Sequence, residues 1–279
     1  MRRLFLAAIL LAACRRQTIV VGSKNFTESV LLGEIVAQRL EKAGCDVERK
    51  LDLGGTLVCD RAIAAGGLDV YPEYSGTALT AILHRTQIGD RRAVMDEVGR
   101  EYARRGLRWG PALGFQNTFA MIVRRADAQR IPLRNISDLA RVAAIFRPGF
   151  GYEFVERPDG WPGLEHHYGL HFAQPPQTMD LGLTYRALAS GQIDLIAGNS
   201  TDGLIDALGL VVLADDRHFF PPYDAALVWR PSIGEKCKAA PGALASLQDA
   251  LDETSMRKLN YAIDAQHRNI AAVAHEVHR

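Results

Sequence analysis

The chain has 279 residues, of which 48% are hydrophobic and 23% are charged, and its formal net charge is +1. This composition is typical of a globular protein with enough apolar residues for one large domain or two of ordinary size. The charge is close to neutral, and the arginines are scattered rather than interleaved with aromatic residues. These features argue against a nucleic-acid partner.

The N-terminal segment has the pattern of an export signal. Two arginines follow Met1, and an apolar run of ten residues extends from Leu4 to Ala13. That run is too short to cross a bilayer at about 1.5 Å per residue. Leu11-Ala12-Ala13-Cys14 resembles a bacterial lipobox, which implies that residues 1–13 are a lipoprotein signal peptide and that Cys14 carries a lipid anchor. The alternative is an ordinary secretory signal that contains a cysteine.

Three cysteines remain after the predicted cleavage, namely Cys45, Cys59 and Cys237. An odd number in an exported protein leaves at least one free thiol. Cys59 lies in an apolar helical pattern, so we expect it to be a small buried hydrophobic residue. A Cys45–Cys59 bridge stays open, although no spacing rule favours it. No Cys/His spacing matches a zinc site, and we expect no metal and no cofactor.

The first part of the chain alternates between strand and helix patterns. We predict strands at 18–22, 47–53 and 68–71, the last closed by Pro72, and helices at 28–43, 56–66, after Ser75 and at 90–105. One face of the first helix is apolar and carries Leu31, Leu32, Ile35, Val36 and Leu40. This βαβαβ alternation predicts an α/β unit with a parallel sheet and helices on both faces.

A second α/β unit follows a break in the pattern at 113–118. We predict strands at 119–123, 141–146, 193–197 and 210–213 with a helix near 181–190, and then a strand at 225–229 and C-terminal helices. Two α/β units joined by two crossings describe a two-lobed periplasmic binding protein fold of the type II-like class, with the ligand in the cleft between the lobes. We assign residues 14–114 and 217–279 to lobe 1 and residues 115–216 to lobe 2.

Seven stretches of the chain, in this order, resemble the solute-binding proteins of glycine betaine/choline/carnitine-type ABC transporters. They are residues 22–27, 53–56, 69–77, 114–118, 154–163, 200–203 and 220–223. The resemblance covers nearly the whole mature chain. It implies a membrane-tethered receptor on the extracytoplasmic face, not an enzyme, which delivers a small solute to an ABC permease and its ATPase subunit. We expect a monomer.

The resemblance also implies a set of ligand-binding residues. In the family a Lys, an Arg and a Thr hold the ligand carboxylate, and these positions correspond to Lys24, Arg157 and Thr77. Arginine offers a two-donor fork for a carboxylate, whereas lysine acts as a point charge. Because Lys24 and Arg157 belong to different lobes, a carboxylate that touches both would favour closure of the cleft.

Aromatic rings of the family enclose the quaternary ammonium group, since ring faces attract a cation that cannot donate strong hydrogen bonds; each ring contributes roughly 0.5–2 kcal/mol. Tyr74 and Tyr223 match this pattern, while Phe119 stands where a Tyr is usual. Asn199 replaces another ring and removes one wall of the cage. Asn117 offers a polar group at the hinge.

Other functions stay open. A larger betaine such as ergothioneine would use the space at Asn199. A hydrolase or a non-transport sensor could share the scaffold, since a fold does not fix a function. We expect no enzyme because the cleft motifs lack a nucleophile–base pair. Glu73 lacks a second carboxylate for acid/base work, and Glu153 could lock Arg157 or face a cationic ligand.

Overall fold

A computed structural model describes residues 17–85 and 89–277 of the chain. The predicted signal peptide and the predicted lipidation site Cys14 lie outside the described residues. No helix in the described part of the chain combines the length and the apolar character that a membrane span requires.

The strands form two five-stranded sheets. The first sheet has the order β2-β1-β3-β10-β4, and its strands are β1 Ile19–Gly22, β2 Val47–Lys50, β3 Val70–Tyr74, β4 Arg108–Gln116 and β10 Asp224–Trp229. The second has the order β7-β6-β8-β5-β9, and its strands are β5 Phe119–Arg124, β6 Pro148–Gly151, β7 Gln177–Met179, β8 Leu195–Asn199 and β9 Leu210–Leu213. The chain therefore passes from one sheet to the other after Gln116 and returns before Asp224.

Helices pack around both sheets. Those around the first sheet are α1 Thr27–Lys42, α2 Thr56–Ala64, α3 Ser75–Thr77 with a π-helical turn Ala78–Ile82, α4 Arg91–Arg104, α11 Ile233–Lys236, α12 Ala240–Ala245, α13 Glu253–Asp264 and α14 Ile270–Glu276. Those around the second sheet are α5 Arg125–Arg130, α6 Ile136–Leu139, α7 Tyr152–Glu156, α8 Trp161–Tyr168, α9 Leu181–Ala189 and α10 Gly203–Ala207. A 3₁₀ turn spans Ala143–Ile145. We call the elements of the first sheet lobe 1 and those of the second sheet lobe 2.

The core follows the apolar patterns of the sequence. All five apolar residues predicted on one face of α1 are at most 1% exposed, and they pack with α12, α13 and α14 in one apolar cluster of lobe 1. A second cluster covers the other face of the first sheet with α2 and α4. Lobe 2 likewise has an apolar cluster on each face of its sheet. The two-lobed α/β fold predicted from the sequence is confirmed.

Four local predictions were wrong. The strands β1, β2 and β3 are parallel as the alternation predicts, but β10 and β4 join that sheet antiparallel. The predicted break at 113–118 is largely part of a strand, because β4 extends to Gln116. Residues 141–146 do not form a strand: they contain the 3₁₀ turn, and the strand lies at β6 instead. Pro72 lies inside β3 rather than closing it, and β1 pairs with β3 only at Val70, so the missing N–H is tolerated.

The cysteines resolve the alternative left open by the sequence. Cys45 forms a disulfide with Cys237, and their Cα atoms are 5.7 Å apart. Cys59 is a free thiol with no exposed surface, as its apolar helical pattern predicts. The Cys45–Cys59 bridge is not formed because the partner of Cys45 comes from the C-terminal part of lobe 1, 192 residues away in sequence.

Candidate functional site

A cavity of about 240 Å³ lies between the two lobes. The structure brings all eight predicted ligand-binding residues to its wall. Lobe 1 contributes Lys24, Tyr74 and Thr77, lobe 2 contributes Phe119, Arg157 and Asn199, and Asn117 and Tyr223 lie on the two crossings between the sheets. Their contact with a ligand stays a prediction.

These side chains meet because the strands deliver them to the same edges. Lys24 follows β1, Tyr74 ends β3, and Asn199 ends β8. In α/β sheets ligands bind at the carboxyl ends of parallel strands, and two such edges face each other here. Glycine permits the close packing at Tyr223, because a Cβ on Gly76 would lie 2.7 Å from that ring.

Lys24 is held by a buried carboxylate of its own lobe. Its Nζ donates to Glu73 Oε1 at 2.5 Å, and both residues are at most 3% exposed. Burial raises the pKa of Glu73, and the Lys24 ammonium acts against this rise. The ammonium also lies 5.2 Å from the centre of the Tyr74 ring. Glu73 is therefore the counterion of Lys24, turned into the fold.

Most of the guanidinium donors of Arg157 already have partners within the protein. Its Nε and Nη2 donate to Asp159 at 2.9 and 2.5 Å, and Nη2 also donates to Thr77 Oγ1 of lobe 1 at 3.1 Å. Burial alone would raise the pKa of Asp159, but the charge and hydrogen bonds of Arg157, with help from Tyr223, hold it below its ordinary value. The predicted carboxylate clamp thus has Arg157 and Thr77 in contact, with Lys24 held separately.

Aromatic rings line the cavity between these two cations. Phe119 lies edge-on to Tyr223 with centroids 5.9 Å apart, and the Arg157 guanidinium carbon is 4.9 Å from the Phe119 centroid. Three further rings, Phe26, Tyr152 and Phe154, also line the cavity, and the motifs of the sequence did not assign them to the site. Phe26 lies 6.1 Å from Tyr74, and its place in the loop after β1 was a usable signal.

Asn199, the departure from the family's aromatic pattern, makes an amide–carboxylate contact instead. Its Nδ2 lies 3.3 Å from Asp202 Oδ1, and its backbone N–H donates to Asp202 Oδ2 at 2.9 Å. Tyr185 also donates to Asp202, at 2.5 Å. Burial raises the pKa of Asp202 to about 7, although these hydrogen bonds lower it. The wall of the cavity at this position is polar.

Behind Tyr74 lies a hydrogen-bonded cluster that sequence reasoning missed. Both oxygens of Glu28, which is 1% exposed, accept from one hydroxyl and one amide each. The donors, at 2.5 to 2.9 Å, are Tyr74, Asn117, Thr201 and Asn260. Burial raises the pKa of Glu28, although all four hydrogen bonds oppose the rise. We call these five residues the hinge cluster, since they join lobe 1, a crossing and lobe 2.

Glu153 makes a second contact across the cleft. Its Oε1 accepts from the backbone N–H of Thr56 at 2.5 Å, and its Oε2 accepts from Thr56 Oγ1 at 3.2 Å. A lobe 2 carboxylate thus caps the first turn of α2 in lobe 1, where free N–H groups and the helix dipole favour an anion. Neither alternative raised for Glu153 from the sequence included this contact.

The described residues, 17–85 and 89–277, contain no group of three His, Cys, Asp or Glu side chains placed to hold a metal ion. Two lobes that close on a cavity lined by aromatic rings and paired charges define the class of solute-binding proteins. The model of the substrate-binding domain of ABC-type glycine betaine transport systems matches residues 17–277, and the chain belongs to this family.

Individual relatives agree with this assignment. The chain is 34% identical over 268 residues to a glycine-betaine-binding protein of Pseudomonas aeruginosa, covering 92% of this chain and 86% of that protein. It is 33% identical over 265 residues to an ergothioneine transport permease/ergothioneine binding protein of Helicobacter pylori, with 94% of this chain covered. The chain spans about half of that second protein, 47% of its length.

A solved structure also matches nearly the whole chain. The crystal structure of a glycine betaine/carnitine/choline ABC transporter has a TM-score of 0.76 and 28% sequence identity to it, covering 92% of this chain and 96% of that one. The family consists of substrate-binding domains of transport systems. This chain is thus a substrate-binding protein of an ABC transport system, as the sequence predicts.

Proposed function

We propose that the chain binds a small quaternary-ammonium or zwitterionic solute such as glycine betaine or choline and presents it to an ABC permease and its ATPase subunit. The observation that carries the proposal is that the three predicted rings and two cations meet on one small cavity. Its volume, about 240 Å³, is below the roughly 300–1,000 Å³ of pockets for drug-sized ligands. The rings would surround the ammonium group, and Lys24, Thr77 and Arg157 would approach the carboxylate.

Calorimetry on the chain that begins after residue 14 tests this proposal. Glycine betaine, choline, carnitine and proline betaine are titrated separately, and thermal unfolding is followed at several ligand concentrations. A ligand that binds only the folded protein raises its stability by RT ln(1 + [L]/Kd). At least one of these compounds should bind with saturation. If none of the four compounds gives binding heat or raises the unfolding temperature more than the control osmolyte sucrose, the proposed ligand class is wrong.

A larger betaine such as ergothioneine is the second candidate. The observation that favours it is Asn199, which puts an amide where the family usually has a ring and lines the cavity beside Gly198. The Helicobacter pylori relative, named for ergothioneine, supports the same choice. Its imidazole-thione is bulkier than the carboxymethyl group of glycine betaine and would lie against this polar wall. Including ergothioneine in the titration distinguishes the two candidates.

We also propose that the protein is a monomeric lipoprotein on the extracytoplasmic face, anchored through Cys14. The support is the Leu11-Ala12-Ala13-Cys14 pattern and the family's role in import. Cys14→Ser should release the chain into the soluble fraction or leave the precursor uncleaved. Mass spectrometry of the mature wild-type N-terminus that shows no lipid would contradict the anchor.

A further inference from the structure

The charged side chains of the cavity wall differ in how closely they are paired. Lys24 is neutralised by Glu73 and Arg157 by Asp159, and both acids are at most 1% exposed. Glu153, in contrast, keeps 44% of its side chain exposed and makes a long ion pair, from its Oε2 to Arg157 Nη1 at 3.8 Å. The two cations expected to hold a ligand carboxylate are therefore already balanced, while Glu153 adds a negative charge.

The position of this charge is fixed from the other lobe. The Thr56 N–H and hydroxyl hold the two oxygens of Glu153. Gly55 permits the approach, because a Cβ there would lie 2.1 Å from Glu153 Oε1. Asp180 also lines the cavity, but its Oδ1 accepts from Gly182 N–H at 3.0 Å within lobe 2. Glu153 is thus the carboxylate that both lobes hold at the cavity.

We propose that Glu153 determines the preference of this site between cationic and zwitterionic quaternary ammonium ligands; the inference rests on the proposed function. A ligand carboxylate that approaches Arg157 Nη1 meets the Glu153 carboxylate beside it and is repelled. A cation without a carboxylate, such as choline, has only the attraction. Since the two oxygens of Glu153 are held by Thr56, the charge does not swing away when a ligand enters.

The alternative is that Glu153 only caps α2 and stabilises the closed protein. A cap would affect all ligands by the same factor, whereas a charge beside the ligand affects betaine and choline in opposite directions. The ratio of the two dissociation constants therefore separates the two roles. An effect of a variant on folding or closure that is common to both ligands cancels in this ratio.

The experiment measures this ratio by calorimetry for the wild type and for Glu153→Gln, Glu153→Asp and the control Glu156→Gln. Glu156 lies on the same helix and is exposed. Glu153→Gln keeps an acceptor for the Thr56 N–H but removes the charge. We expect it to tighten glycine betaine and weaken choline, changing the ratio about tenfold, the scale for a unit charge several ångströms from the ligand in a partly exposed site.

Glu153→Asp keeps the charge but shortens the reach to Thr56, so the ratio should stay within about twofold of the wild type. Glu156→Gln should leave it unchanged. Equal weakening of both ligands in Glu153→Gln, or an aspartate variant that behaves like the glutamine one, would assign Glu153 to capping alone and overturn the inference. If the wild type binds neither ligand, the inference is overturned together with the choice of glycine betaine or choline as the ligand, which is a different result from an unchanged ratio.

Discussion

The lobes are joined by carboxylates on two sides of the cavity, and the two sides differ in kind. On the hinge side, Glu28 is fully enclosed and accepts four hydrogen bonds from neutral donors, including Thr201 of lobe 2. On the second side, which we call the mouth side because it is partly exposed, Glu153 of lobe 2 keeps nearly half of its side chain exposed and caps the helix that begins at Thr56 of lobe 1. Both contacts span the lobes, but only the second can exchange with water.

This difference assigns the two sides different tasks. A buried acceptor of several hydrogen bonds costs a large free energy to remove, because its donors are left desolvated. A partly exposed contact costs little, since water replaces it. The hinge cluster therefore fixes how the lobes sit, and its Glu28 holds Tyr74 in place on the cavity wall. The mouth contact adds less to stability, and its main effect is to keep the Glu153 charge at the cavity wall.

The largest effect on stability should come from removing the central carboxylate of the hinge cluster. Glu28→Ala leaves four buried donors without their acceptor and should lower the free energy of unfolding by about 3–5 kcal/mol. Urea denaturation measures this. The matched variant Glu153→Ala removes a helix cap and should cost about 1 kcal/mol. Equal losses in the two variants would remove the distinction between the two sides.

The next effect concerns Arg157, which touches both lobes. Arg157→Ala should weaken glycine betaine by about 1.5–3 kcal/mol, the scale for a hydrogen bond to a charged group, and choline much less. Calorimetry on both ligands measures the difference. The substitution also leaves the buried Asp159 without its cation, so Arg157→Ala/Asp159→Asn serves as the control for that loss. If betaine and choline weaken equally in both variants, Arg157 acts on the structure alone.

Local periodicity made much of the fold predictable. The face of α1 repeats apolar residues at helical spacing, so its burial follows from the sequence. The strand predicted at 141–146 failed because its apolar residues fit a turn equally well. The actual strand β6 reads Pro-Gly-Phe-Gly and is buried throughout by its neighbours, which residue preferences do not indicate.

The residues of the cavity wall were predictable only through the resemblance to a family. The carboxylates that pair with the cations of this wall were not predictable from the sequence. Lys24 and Arg157 follow motifs that a sequence displays, whereas their partners depend on which carboxylates turn inward. The hinge cluster is harder still. Glu28 and Asn260 are 232 residues apart and lie on two different helices, so only the folded chain brings them together.

Protein stability measured over a range of pH tests the hinge side, because Asp202 interacts with Glu28. Burial raises the pKa of Asp202, and the charge of Glu28 adds to this rise. With a pKa of about 7 in the folded protein, Asp202 binds a proton more readily folded than unfolded. The stability that the protein gains from protonated Asp202 is fully present below the ordinary aspartate pKa, and it is lost as the pH rises through about 7. Because Asp202 keeps some contact with water, which screens its charge, we expect this contribution to be about 1–2 kcal/mol.

Urea denaturation between pH 5 and pH 8 checks this for the wild type and for Asp202→Asn. The amide cannot titrate, so the stability of the variant should fall less over this range. The difference between the two curves reports the titration of Asp202 together with its interaction with Glu28, whose pKa burial also raises. Parallel curves would mean that Asp202 stays ionised throughout.

The smallest effect concerns Asn199, on the cavity wall between the two sides. Asn199→Tyr supplies the missing ring and should tighten glycine betaine by roughly 0.5–2 kcal/mol, or about two- to thirty-fold. The same ring fills the space beside Gly198, so a bulkier betaine such as ergothioneine should weaken or lose binding. Asn199→Ala is the matched control, since it removes the amide contact with Asp202 without adding a ring. Calorimetry of both ligands on all three proteins decides, and affinities that stay unchanged in both variants would show that residue 199 does not touch the ligand.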